Sequence, residues 1–186
     1  MSSWFKTCVH LVRHTLVIIG MLMVLGIAGG LIFMYSGIFN VAAAVVDSSV
    51  TTWALVTVRE ASIGLHARDV LPPDVGMVAD PDNGFQIYRR ECVMCHTPIG
   101  RSPRPMAVGF NPQAPSFDDQ QDVMAPSEVF WVIKNGIRFT GMPAWGPSLT
   151  DKGLWDVTAF LAAVPKMSAA DSDAIAARFP QVLCSP

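Results

Sequence analysis

The sequence predicts an all-α fold, a helical domain behind a single N-terminal membrane-crossing helix. Three observations carry this expectation. No stretch of useful length alternates apolar and polar residues as a half-buried strand does. An uncharged run, "LVIIGMLMVLGIAGGLIFMYSGIF", fills the 24 positions from Leu16 to Phe39. Beyond it, segments bounded by proline and glycine repeat apolar residues at helical spacing.

As a helix the uncharged run reaches roughly 36 Å at 1.5 Å per residue, enough to cross a hydrocarbon core of about 30 Å with some tilt. A cleaved signal peptide is the competing reading, since Lys6 and Arg13 make a basic start and Ala42–Ala44 resemble a cleavage site. The run far exceeds a signal-peptide core of about 7–15 residues, so a retained transmembrane helix over 15–39 is expected, behind a cytoplasmic tail, 1–14. The tail has two bases and no acid, and positive charge stays inside. In a bacterial inner membrane this makes a single-pass protein with its C-terminal domain in the periplasm. Gly26 and Gly30 form a G-x-x-x-G that lets another helix approach closely.

The chain's formal net charge is −2, and removing the basic tail leaves the rest more acidic still. There is no basic stripe for a phosphate backbone, so nucleic acid is excluded as a partner. Residues 40–79 read as a connector. Within it, "TTWALVTVREASIGLHARDVL" places Trp53, Leu55, Val56, Ile63 and Leu65 at nearly helical spacing. This is an amphipathic helix, lying either at the membrane surface or against the domain behind it. His66, among charged neighbours, reads as solvated. "LPPDVGMVADPDNG" reads as a linker.

The folded domain is expected over 80–166. Its first helix is short, Gly84 to about Met94, with Phe85, Ile87 and Tyr88 on the apolar side. From His96 to Pro126 six prolines interrupt the chain. A segment this long without regular structure suits a compact domain only if it wraps something. The next helix starts near Ser127, a good N-cap, and ends at Gly136. The last runs from Thr150 or Asp151 to Ala163, with Leu154, Trp155, Thr158 and Leu161 on one side and Pro165 as the stop. Residues 167–186 form a helical tail capped by Ser168.

The chemistry sits in "ECVMCHTPIG", where Cys92, Cys95 and His96 make a C-x-x-C-H. This is the pattern of c-type haem attachment. Two thiols bond the porphyrin's vinyl groups, and the adjacent imidazole becomes an axial ligand. A thioredoxin-like redox pair would need a βαβ context, which is missing. A structural zinc would need further ligands, and this region offers no histidine after His96 and only Cys184. A sixth, methionine ligand suits electron transfer. Met142, in "RFTGMPAWG", lies between Gly141 and Pro143 in a tight loop that can present a thioether; Met106, Met124 and Met167 are the other candidates.

"GFQIYRRECVMCHTP" and "IKNGIRFTGMPAWGPSLTDKGLWDVTAFL" together resemble a class I cytochrome c domain. The whole chain is similar to the membrane-anchored monohaem class I cytochromes c of proteobacteria. The resemblance implies one haem c held by two thioethers to Cys92 and Cys95, with His96 the proximal and Met142 the distal iron ligand. It implies that Tyr88 and Trp155 lie where the first and last helices cross. It also implies that a proline carbonyl fixes the imidazole's other nitrogen, with Pro98, Pro103 and Pro105 competing. Arg89, Arg90, Arg101 and Arg104 can steer an acidic partner, pair with propionates or simply face solvent.

With both axial positions filled there is no open iron site and no catalytic residue. The expected function is that of an electron-transfer protein, a membrane-tethered single-electron carrier. Its partners would be membrane lipid and redox proteins in or at the membrane: a quinol-oxidising complex or periplasmic dehydrogenase as donor, a terminal oxidase or reductase as acceptor. The alternatives are a haem-based peroxidase or diatomic-gas sensor with a labile methionine, and a structural subunit whose haem never turns over. Cys8 and Cys184 receive no role.

Overall fold

A computed structural model describes residues 3–73, 78–117 and 124–178. Cys184 and the end of the expected tail lie outside the described residues. All regular structure among them is helical, with no strand, in two units, residues 1–45 and 46–186.

The first unit is one helix, α1 (Ser3–Ser36), with no capping charge at either end. Its stretch Cys8–Ser36 is long and apolar enough to cross a membrane, a test that a signal sequence near an N-terminus also passes. The helix therefore starts well before residue 15, and it stops at Ser36, leaving Gly37 to Phe39 outside it.

The second unit opens with α2 (Ser49–His66), capped by the Ser48 hydroxyl, which accepts from Thr51 N at 3.1 Å. Its C-terminal end packs on α5 (Pro126–Asn135): Ile63 and the following Ala67 are buried, and the His66 ring lies 5.6 Å from that of Trp131. The rest of the helix leaves Val50, Trp53, Leu55 and Val58 exposed.

Helix α3 (Pro81–Ile87) begins earlier than Gly84. Asp80 is an N-cap accepting from Asp82 N and Asn83 N, and Pro81 occupies the first helical position. "DPDNG" is thus a helix start and not the end of a linker. The helix continues as a π-helical turn, Tyr88–Cys92, in which Val93 N donates to Tyr88 O at 3.0 Å. After a short α4 (Pro105–Val108), α5 is capped at Ala125, not Ser127, because Pro126 takes the first helical position; Glu128 reaches back to accept from Ala125 N at 2.9 Å. Helix α6 (Asp151–Ala163) carries the Thr150 cap and ends in a 3-10 turn containing Pro165. Helix α7 (Ala169–Arg178) follows, with Ser168 Oγ accepting from Asp171 N.

Helix α6 is the centre. It is buried nearly all round, from Gly153 to Thr158 and again at Phe160, because α3 covers one side and α5 another. That is why one apolar face did not describe it. Trp155 stacks on Phe130 of α5, ring centroids 4.4 Å apart, within the buried cluster that also holds Ile87 of α3. Tyr88 reaches the crossing, 5.3 Å from Phe160. The crossing is closest at Gly84, where a Cβ would come within 2.0 Å of Asp156 O. Only glycine lets the two backbones touch.

Beside it the Asp156 carboxylate, fully buried, accepts from Asp80 N at 2.7 Å, Asn83 Nδ2 at 2.7 Å and Lys152 Nζ at 2.8 Å. Burial alone would raise its pKa; those hydrogen bonds and the Lys152 charge outweigh that and hold it below the ordinary carboxyl value. One side chain thereby fastens the start of α3 to α6.

Two outcomes follow for haem-loaded protein unfolded in urea. Gly84→Ala, which drives a methyl into a backbone carbonyl, costs at least about 2 kcal/mol. Asp156→Ala costs about 3 kcal/mol at pH 7, since it leaves buried donors unpaired. A depressed carboxyl contributes stability above its unfolded pKa and loses it as pH falls through the folded value. The gap between wild type and Asp156→Ala therefore narrows once the pH drops below about 4.

Candidate functional site

Helix α3 delivers the cysteines. Its π-helical turn inserts one extra residue per turn, a local device that re-aims side chains and recurs at functional sites. One further turn then gathers the motif, with Cys95 N and His96 N both donating to Cys92 O, at 3.0 and 2.9 Å. Cys92, Cys95 and His96 are half-buried, and both sulfurs are free thiols. Burial first, then Glu91 and Cys95 nearby, push the Cys92 thiol up to about 12. It is protonated at neutral pH, the reverse of the lowered thiol found in redox-active pairs. Among the described residues no group of three or more His, Cys, Asp or Glu side chains converges to hold a metal ion.

His96 is fixed on two sides. Its Nδ1–H donates to Pro115 O at 3.0 Å, and its ring stacks on Phe117 with centroids 4.8 Å apart. The proline is none of the three that seemed to compete: it lies 19 residues on, where the proline-rich segment returns to the motif. Nothing in the spacing marks it, because every proline there offers the same carbonyl. A carbonyl only accepts, so Nδ1 carries the proton and the Nε2 lone pair is left for a metal. Burial lowers the His96 pKa, against the Pro115 hydrogen bond, which keeps the ring neutral.

Phe117 in turn meets Tyr88 edge-on at 6.0 Å, and the Tyr88 hydroxyl donates to Thr97 O at 2.8 Å. Imidazole, phenyl and phenol thus form a chain from the motif back into the core. The charged neighbours are mostly engaged within the protein. Arg90 pairs with Glu91, Arg101 grips Asp173 of α7 through both oxygens at 2.6 and 2.9 Å, and Arg89 lies over the Phe85 ring.

Met142 lies in the loop between α5 and α6, half-buried against the cluster of Ile87, Phe130, Ile133, Leu154 and Trp155. Cys92 packs against the other core cluster, around Phe85, Tyr88 and Phe160. Met142 and Cys92 therefore pack against different core clusters. The Met142 loop is closely tied: Ile137 N donates to Met142 O, Met142 N to Thr140 Oγ1 at 3.1 Å, and Trp145 N and Gly146 N to Ile133 O and Lys134 O. Gly136, at φ +68, turns the chain out of α5; a Cβ there would lie 2.7 Å from Ala144 N. Phe139 also holds a positive φ, +63, and is 93% exposed, a conformation that a bulky residue keeps only when its surroundings impose it. Of the other methionines, Met106 is exposed on α4 and Met167 packs under α6.

Two free thiols one helical turn apart, followed by a neutral imidazole with a fixed tautomer, fit the attachment and axial ligation of haem c. An all-α domain that carries them defines a haem-binding electron carrier of the class I cytochrome c type. Residues 79–161, under half of the chain, match the family model described as cytochrome C oxidase, cbb3-type, subunit III. With the apolar N-terminal helix, this match is consistent with a membrane-anchored monohaem cytochrome c. No curated protein matches the chain. A domain of this type implies haem c, redox partners, and electron transfer in preference to catalysis.

Tyr88→Phe tests the chain that backs the motif. Removing the hydroxyl leaves Thr97 O without that buried donor, so unfolding in urea should become easier by about 1 kcal/mol or slightly more, with no change in the amount of haem bound.

Proposed function

We propose that the chain is a membrane-tethered single-electron carrier with one haem c, attached through Cys92 and Cys95 and ligated axially by His96 and Met142. The observation that carries this reading is the hydrogen bond from His96 Nδ1 to Pro115 O, which leaves the lone pair of the other ring nitrogen available to a metal. Cys92 and Cys95 would hold the haem through thioethers made by adding each S–H across a vinyl C=C, an addition that releases nothing and needs no oxidant. When bound, haem supplies reversible one-electron exchange between ferric and ferrous iron.

The residues of this chain do the rest. Pro115 and Phe117 hold the imidazole in one tautomer and orientation. The tied loop around Met142 would supply the thioether, and such ligation favours a higher potential than two imidazoles would. The clusters around Phe160 and Trp155 keep water from the interior. In this reading α1 is a retained span over residues 8–36, 3–7 stay on the cytoplasmic side of a bacterial inner membrane, and the domain works in the periplasm. Residues 80–166 form the haem domain, and α7 is its helical tail. The donor is a quinol-oxidising complex or a dehydrogenase and the acceptor a terminal oxidase or reductase. The matching family's description, an oxidase subunit, supports an acceptor of that kind.

The reduced full-length protein should fail to bind carbon monoxide rapidly at neutral pH, because Met142 fills the sixth position. Met142→Ala should bind it rapidly, lose the sulfur-to-iron charge-transfer band of the ferric form and show a lower potential. Rapid binding by the wild type would favour the gas-sensing or peroxidase reading. An unchanged ferric band in Met142→Ala would move the ligand role to another methionine.

A further inference from the structure

Helix α2 has two sides, and among the described residues the domain packs on one of them. Ile63 and Ala67 form the seat on α5, and Thr52 and Arg59 lie on the same half of the helix. Half a turn away, Val50, Ala54, Thr57, Ala61 and Leu65 follow one another at three- and four-residue intervals, a stripe with no charge over four turns. Val50 is 72% exposed and Leu65 55%. The one hydroxyl on the stripe makes no demand on water, since Thr57 Oγ1 donates to Trp53 O of its own helix at 2.7 Å. Glu60, near the stripe's edge, is drawn to Arg59 at 2.6 Å. Trp53, at that same edge, is the residue type enriched at membrane–water interfaces.

The covalent chain says what covers the stripe. Only residues 37–48 separate α1 from α2, a length that can extend at most about 43 Å. A turn shortens it, with Val45 N donating to Ala42 O at 3.0 Å. From Thr15 to Val46 there is no acid or base at all, and Ile38, Val41 and Val46 after the helix are exposed. The connection is therefore uncharged from the end of α1 to Val46, and Asp47 and Ser48 lead from it into α2.

We propose that the uncharged stripe of α2 lies in the headgroup–acyl interface of the bilayer that α1 crosses, so that the haem domain is seated on the membrane through α2. The proposal rests on the reading of α1 as a retained span. Binding is by apolar contact, since Arg59 and Glu60 neutralise one another, and it requires no anionic lipid.

The test uses the full-length, haem-loaded protein in phosphatidylcholine nanodiscs, with Cys8→Ser and Cys184→Ser removing stray thiols. Spin labels are placed one at a time at Ala61→Cys on the stripe, Thr52→Cys opposite it and Leu25→Cys within α1. Haem absorbance verifies each variant. The expected result is several-fold greater accessibility to oxygen, relative to a water-soluble nickel chelate, at 61 than at 52, unchanged in high salt. A label at 61 that reads as water while the label at 25 reads as lipid overturns the proposal and leaves the span intact. A label at 25 that also reads as water overturns the span and the proposal with it. Shielding of 61 from both reagents overturns it in favour of contact with protein, a second copy included.

Discussion

Backbone contact between α3 and α6 at Gly84 is the constraint on which the rest of the domain depends. With the Gly84 Cα against the Asp156 carbonyl, Phe85 and Tyr88 reach Phe160 on one side while Ile87 meets Leu154 and Trp155 on the other. The Asp156 carboxylate then locks the rotation of α3 by holding the Asp80 amide and the Asn83 side chain. The turn that carries Cys92, Cys95 and His96 leaves the end of this fixed helix, so its position is inherited from the crossing. The loop that carries Met142 starts from α5 and leads into α6, so it is inherited from the same helix.

Around that frame the proline-rich segment serves a different purpose from an ordinary connection. It has little regular structure, yet it returns to the motif with two adjacent contacts, the Pro115 carbonyl on Nδ1 and the Phe117 ring on the imidazole face. Arg101 and Asp173 join its start to α7, whose other end is tied by Arg178 to Asp82 at the start of α3. These exposed ion pairs add little stability individually. Their effect is to hold an otherwise loosely packed terminal helix across the back of the crossing.

Much of this was legible because the chemistry is local. C-x-x-C-H is one turn of chain, and caps such as Thr150 and Ser168 act within three residues. The uncharged span needs nothing but length and composition. What escaped the sequence depended on distance. Pro115 is chosen among many prolines by the path of the loop. The stacking of Trp155 on Phe130 was not foreseen because α6 is enclosed and has no single apolar face to read. Asp156 looks like an ordinary polar position of an amphipathic helix, although Asp80 and Asn83, more than seventy residues earlier, make it a buried clasp. The first turn of α3 was hidden by "DPDNG", whose residues suit a turn and an N-cap equally well. At α2, the seat on α5 is present, and residues on the opposite side of the same helix, Val50 and Leu65 among them, are exposed.

The central claim is that Cys92 and Cys95 hold haem covalently. The most direct measurement is the mass of the intact full-length chain after denaturation and acid extraction, together with the pyridine haemochrome spectrum. The account predicts a chain heavier by one haem that survives extraction, with the spectrum of two saturated vinyl positions, and loss of that added mass when both cysteines are replaced by alanine. A chain of unmodified mass, or haem that extracts completely, would contradict it.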